Sequence, residues 1–94
     1  MLPTSEAEVS PRNVLQFLVR PDGVVEVRRG ESDQVQPIRA DDVERVWRLE
    51  AAQNDKLVAA VQTDPDAPYR NMIRVLDGLQ AGGAERISLQ MLRR

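Results

Sequence analysis

The chain has 94 residues, 13 basic against 15 acidic side chains, a formal net charge of −2, and neither cysteine nor histidine. That length makes one domain. Without Cys or His there can be no disulfide, no Ser-His-Asp triad, no Cys-His dyad and no imidazole or thiolate metal site.

Residues 1–12 (MLPTSEAEVSPR) hold two prolines and no apolar periodicity, and read as a disordered linker. Residues 13–20 alternate, with Leu15, Phe17 and Val19 on one face and Gln16 and Leu18 on the other. Arg20-Pro21-Asp22-Gly23 then has the composition of a hairpin turn, with Pro and Asp central and Gly after them. Residues 24–29 return, placing Val25 and Val27 inward and Glu26 and Arg28 outward. Pro37 restricts residues 35–38 to a short edge strand, because it cannot donate a ladder hydrogen bond.

Asp41 and Asp42 open a helix predicted over residues 41–53, where their charge complements the positive end of the helix dipole. Val43, Val46, Trp47 and Ala51 face the sheet, and Glu50 interrupts that stripe. Residues 56–62 are apolar on both faces, which predicts a strand in the sheet interior. An Asp- and Pro-rich turn follows, with Asp66 or Ala67 expected to cap a second helix and Pro68 in its first turn. Tyr69, Met72, Ile73, Leu76 and Leu79 lie at helical spacing along it. Gly82 and Gly83 end it. Gly83 is expected to take the left-handed conformation, to be the position least tolerant of a side chain, and to be more sensitive than Gly82. Ile87, Leu89 and Met91 alternate on a last strand.

The order β-β-(β)-α-β-α-β predicts an α+β, two-layer sandwich, with two helices on one face of a mixed four- to five-stranded sheet. Residues 13–94 form the domain. The other sheet face carries Gln16, Leu18, Glu26, Arg28, Gln62, Ser88 and Gln90, semi-polar and uncovered.

Few residues suggest chemistry. Asp64, Asp66 and Asp77 could bind a cation or act as an acid/base pair, but Asp64 and Asp66 read better as caps and Asp77 as a solvated or Arg-paired group. A calcium loop would need further oxygen ligands and a bidentate Glu. Tyr69 could touch a partner; at the head of an apolar stripe it reads as a core ring with its hydroxyl reaching out. Trp47 reads as the core anchor of its helix rather than a stacking platform. Gly82-Gly83 follow a helix rather than precede one, so they make no phosphate cradle. No basic run exceeds two residues, so the electrostatic footprint of nucleic-acid binding is missing. No stretch approaches the ~20 apolar residues that span a bilayer.

One order of residues carries more. A strand runs into Asp64, Tyr69 follows one turn into a helix, Asp77 lies two turns on, then come the Gly83 stop and Ile87-Ser88-Leu89. This resembles the C-terminal periplasmic domain of the ExbD/TolR family, the biopolymer-transport stator subunits of Gram-negative bacteria. The likeness extends upstream through Leu15 to Glu26, about four fifths of the chain. It implies a domain that is not an enzyme, with no catalytic, cofactor or metal site. It also implies a place in the periplasm, tethered to the inner membrane by a transmembrane helix that this chain lacks. An ExbB/TolQ-type channel subunit and a TonB/TolA-type transducer, or peptidoglycan, are the implied partners. The family's proton-relay Asp lies in the transmembrane helix and has no counterpart here. Asp64, Tyr69, Asp77 and Gly83 carry over as structural or contact positions. The alternative is a stand-alone soluble protein-binding adaptor of the same fold. A carboxylate enzyme or RNA-binding domain ranks below both, for want of His, a basic patch and a surface aromatic pair. Family members act as dimers; with the tether and its effective concentration removed, a weak homodimer is expected. It would form through the open face, at Gln16, Leu18, Glu26, Arg28 and Ser88, or through an edge strand.

Overall fold

Alternation along the first strand fixes the layering. The computed structural model describes residues 10–91. In β1 (Val14–Val19) the side chains of Leu15, Phe17 and Val19 are buried, while Val14, Gln16 and Leu18 stay partly exposed. The expected turn closes the first hairpin: Arg20 N–H donates to Val24 O at 3.0 Å, Gly23 N–H donates to Arg20 O at 3.1 Å, and Gly23 sits at φ +90°. Only glycine takes that conformation without strain. β2 (Val24–Arg29) returns antiparallel, pairing Phe17 with Val27 and Leu18 with Glu26. The short strand at Pro37 is real: β3 (Gln36–Arg39) pairs with β2 at the sheet edge and buries Ile38.

A 3-10 turn (Ala40–Asp42) leads into α1 (Val43–Ala51), shorter at both ends than the sequence suggests. Asp42 holds the entry by accepting the Arg39 N–H at 3.2 Å. Val43 and Trp47 are buried. Glu50, the misfit in the apolar stripe, pairs with Arg29 of β2. β4 (Val58–Thr63) lies parallel to β1, with Phe17 beside Val61. α2 (Tyr69–Ala81) crosses back, and β5 (Ile87–Met91) adds parallel to β4. The sheet is mixed and five-stranded, in the order β3-β2-β1-β4-β5. β4 is interior, as its two-sided apolarity requires; the middle strand is β1. Val43 and Trp47 of α1 and Val75 and Leu79 of α2 join Leu15, Phe17, Val19 and Val61 in one buried cluster. Each helix therefore brings its apolar stripe to the same side of β1.

α2 ends in a Schellman motif. Gly83 N–H donates to Gln80 O at 3.1 Å, Ala84 N–H donates to Leu79 O at 2.9 Å, and Gly83 takes φ +92°. The left-handed cap is where the sequence places it, but Gly83 is not the most crowded of the glycines. A Cβ on Gly83 would meet nothing within 4 Å, so its cost is conformational alone. A Cβ on Gly82 would lie 3.1 Å from Trp47 Cδ1, and one on Gly78 would lie 3.1 Å from Val43 Cβ. These two glycines let α2 approach α1 closely. Gly30 is tighter still: its Cβ would fall 1.9 Å from the Pro11 carbonyl oxygen. That contact belongs to a 3-10 turn (Pro11–Asn13) that joins the domain ahead of the expected start at Asn13. Asn54 Nδ2 donates to Asn13 Oδ1 at 3.0 Å and ties the same point to the loop after α1. The linker expected over residues 1–12 otherwise lies outside the described residues.

Two outcomes follow. Gly30→Ala should destabilise by overpacking, about 1–3 kcal/mol or several degrees in melting temperature. Gly83→Ala should cost about 1–2 kcal/mol from its backbone conformation. Calorimetric melts showing a smaller loss for Gly30→Ala than for Gly83→Ala would refute the ranking. The hairpin turn gives the second. The Asp22 carboxyl is held below its ordinary pKa, first by accepting the Val24 N–H at 3.0 Å and then by the Arg20 side chain. A depressed folded pKa contributes stability that is present above the unfolded pKa and is lost as pH falls through the folded one. Asp22→Asn should therefore lower stability at neutral pH and match the wild type in acid. A denaturation midpoint difference that persists below about pH 2 would contradict this.

Candidate functional site

Asp64 shapes the turn after β4 from three sides. Its N–H donates to Val19 O at 3.0 Å, its carbonyl accepts the Ala67 N–H at 2.9 Å, and its Oδ1 accepts the Asp66 N–H at 2.8 Å. The side chain thus closes a local Asx turn and does not reach a helix end. Neither Asp66 nor Ala67 caps α2. The N-cap is Pro68, at φ −58° and ψ 141°, with no side-chain cap. Pro68 is itself extended at ψ, so the first helical residue is Tyr69 and the cap position falls one residue later than the sequence suggests.

Tyr69 does not join the core. It is 71% exposed on the first residue of α2. The buried stripe of that helix is Met72, Val75 and Leu79, while Ile73 and Leu76 are only partly covered. At 100° per residue this stripe is rotated by roughly 60° from the expected one, which swings Tyr69 onto the flank. Asp77 is exposed, beside a shallow furrow between the helices that Asp41, Glu44 and Arg74 also line. Arg74 Nη2 donates to Asp41 Oδ1 there at 2.6 Å. Among the described residues no group of three or more Asp or Glu is placed to hold a metal ion.

The four motif positions do not converge. Asp64 and Tyr69 follow the C-terminal end of β4, whereas Gly83 lies past the other end of α2, whose 13 residues span about 20 Å. Because β4 runs parallel to β1, the Asp64–Tyr69 turn sits at the end of the sheet opposite the point where the chain enters β1. The hairpin turn at Pro21-Asp22 shares that end. Gly30, Asn54 and Gly83 share the entry end.

The candidate self-association face does come together. Strand register lines up Pro37, Glu26, Leu18, Gln62 and Gln90 in one row across the sheet, and Arg28, Gln16, Ala60 and Ser88 in the next. Arg20 Nη1 donates to Glu26 Oε2 at 2.9 Å, Arg28 Nε to Gln16 Oε1 at 3.0 Å, and Gln62 Nε2 to Gln90 Oε1 at 3.1 Å. Gln16, Leu18, Glu26, Arg28, Val35 and Gln62 border a shallow hollow of about 160 Å³. Val35 is the member that sequence reasoning missed, since it precedes β3 and belongs to no alternating run. Partly exposed Val14, Val24, Val58 and Ala60 also make this face more apolar than the sequence reading allows. Leu89 pairs with Val61, so it points to the helix side, yet it remains 53% exposed at the sheet margin.

The described residues form a five-stranded α+β domain with two helices and an open sheet face. The chain matches the family model described as "Biopolymer transport protein ExbD/TolR" over residues 1–93, and it belongs to that family. No curated protein matches it. ExbD/TolR proteins are transport stator subunits linked to the proton motive force, anchored in the inner membrane with a periplasmic domain. In general they work with ExbB/TolQ-type and TonB/TolA-type partners. No helix among the described residues is long and apolar enough to cross a membrane.

Burial separates Trp47 from Tyr69. Tyr69→Ala should shift stability by no more than about 0.5 kcal/mol. Trp47→Ala should remove about 3–5 kcal/mol. Urea denaturation of both variants checks this, and comparable losses would return Tyr69 to the core.

Proposed function

We propose that this chain is the periplasmic head of a stator subunit in a proton-motive-force-driven envelope system. It works beside an ExbB/TolQ-type channel subunit and meets a TonB/TolA-type transducer at the end of the sheet that carries Asp64 and Tyr69. The family membership supports the stator role. The exposed Tyr69, at the end opposite the chain entry, carries the choice of surface.

The physical reasoning is about reach and rigidity. In this reading the tether is a transmembrane helix upstream of the domain, so the entry end faces the membrane and the Tyr69 end faces into the periplasm. Tyr69 is flanked by exposed Pro68 and Arg70, and Pro65 stiffens the turn before it. Aromatic residues on rigid backbone give large contact area for little ordering entropy, and they are enriched in interface cores. The head takes no part in moving protons, because the relay carboxylate belongs to the membrane helix. Its task is to hold a partner at a fixed place.

The test uses the full-length protein in cells. A photo-crosslinking amino acid at position 69 should yield a transducer adduct, and the same group at exposed Glu85 on the entry end should not. Adducts from position 85 and none from 69 would overturn the assignment. Adducts from 69 to peptidoglycan would replace the transducer as its partner.

A further inference from the structure

One buried polar group has no partner. Thr63 ends β4, is 3% exposed, and is the one buried polar side chain among the described residues. Its hydroxyl Oγ1 makes no hydrogen bond. Thr63 pairs with Val19 in the parallel ladder, so it shares the Val19 side of the sheet and points under the helices. A hydroxyl kept dry and unbonded costs more than a methyl group in the same place, because it gives up water and gains nothing. That cost is carried by the closed fold and disappears wherever water reaches the oxygen.

The cover over Thr63 is the segment that follows it. β4 ends there, residues 64–68 turn, and α2 starts back over the sheet at Tyr69. α1 comes close to α2 at Gly78 and Gly82, in the second half of that helix, and so lies toward the other end of the sheet. The ladder runs one residue past Thr63, where Asp64 N–H donates to Val19 O at 3.0 Å, and that is the fixed point. Beyond it, Ala67 N–H donates to Asp64 O and Asp66 N–H donates to Asp64 Oδ1, bonds that close within the turn itself. They survive if the turn swings as a unit. Little apolar surface holds it down: Pro65, Asp66, Pro68, Tyr69 and Arg70 are exposed, and between them only Ala67 packs against the core. The helix it leads into starts at Pro68 without a side-chain cap. Segments with so few buried apolar contacts open locally, at the low end of the free-energy range of a fold.

We propose that the turn from Asp64 to Tyr69 is a flap hinged at Asp64, and that the Thr63 hydroxyl sets how often it opens by favouring the state in which water reaches it. Opening bares Thr63 and the apolar surface under Ala67, so the flap governs access to the core at this end of the sheet. It is a property of the domain alone and stands whether or not Tyr69 meets a transducer.

Hydrogen exchange of Thr63→Val tests this, because valine keeps the shape of threonine and replaces the hydroxyl by a methyl group. Under conditions where exchange reports opening equilibria, the Asp66 and Ala67 amides should exchange about tenfold more slowly in the variant than in the wild type. Phe17 and Val61, in the interior of the sheet, exchange on unfolding and should slow by a similar factor, since the unfolded chain wets the hydroxyl as well. The melting temperature should rise by a few degrees, which also shows that the variant is folded. Thr63→Ser retains the hydroxyl and should leave the two turn amides no slower than in the wild type. Slowing at Phe17 and Val61 with Asp66 and Ala67 unchanged would mean that the turn opens without uncovering Thr63, and would overturn the proposal. Unchanged exchange throughout, or slowing of the turn amides by Thr63→Ser, would overturn it equally.

Discussion

The alternation along β1 is the constraint from which the other packing choices follow, because this strand is bonded to a neighbour on both sides and its two faces meet different surroundings. Leu15, Phe17 and Val19 must be kept dry, and two helices are available to cover them. Each helix is about 10 Å across, and five strands span about 20 Å between the outer ones, so the helical layer barely matches the sheet. Gly78 and Gly82 draw the helices together over Val43 and Trp47, which closes the centre of that layer. The margin is what remains uncovered. Leu89 points to the helix side and is still half in water, because nothing lies over β5 at that position.

How much of this could be read from the sequence depended on whether the deciding contact was local. The first hairpin was legible because turn chemistry at Pro21, Asp22 and Gly23 agrees with period-two alternation on both sides of it. The Schellman cap at Gly83 was legible for the same reason, since the motif closes within six residues. The phase of α2 was not. Met72, Ile73, Val75, Leu76 and Leu79 are all apolar, so two overlapping stripes fit the helix equally well, and only the sheet beneath selects the one containing Val75. Tyr69 moved to the surface with that choice. The tight glycines escaped too. Gly30 is matched to Pro11, and Gly78 and Gly82 to residues of α1, partners that no local pattern reveals. Glu50 is instructive in another way. Its intrusion into an apolar stripe was visible, and the reason, Arg29 on β2, lay 21 residues away.

The motif that marks the family is a different kind of information from a site. Asp64 closes a turn and Gly83 closes a helix end, and both roles belong to the path of the chain. Recognition through such residues reports architecture first. The open face works the other way round: its members are spread over four strands, and only register shows that Glu26, Leu18 and Gln62 stand in one row. Composition could say that the face was semi-polar, whereas the order of charges across it required the sheet.

The point at which the chain joins the domain has a mechanical meaning. Pro11 is seated against Gly30, Asn13 is bonded to Asn54, and the next residues are β1, the middle strand of the sheet. Tension applied through the N-terminus along the strand axis would shear the ladders to β2 and β4 together, stretching their hydrogen bonds in parallel. An edge strand peeled from its end would release its bonds one after another, each at small force. Entry through the middle strand gives the domain the stronger of the two geometries, so a pull on its N-terminal side can turn or drag it as a body before it begins to open it.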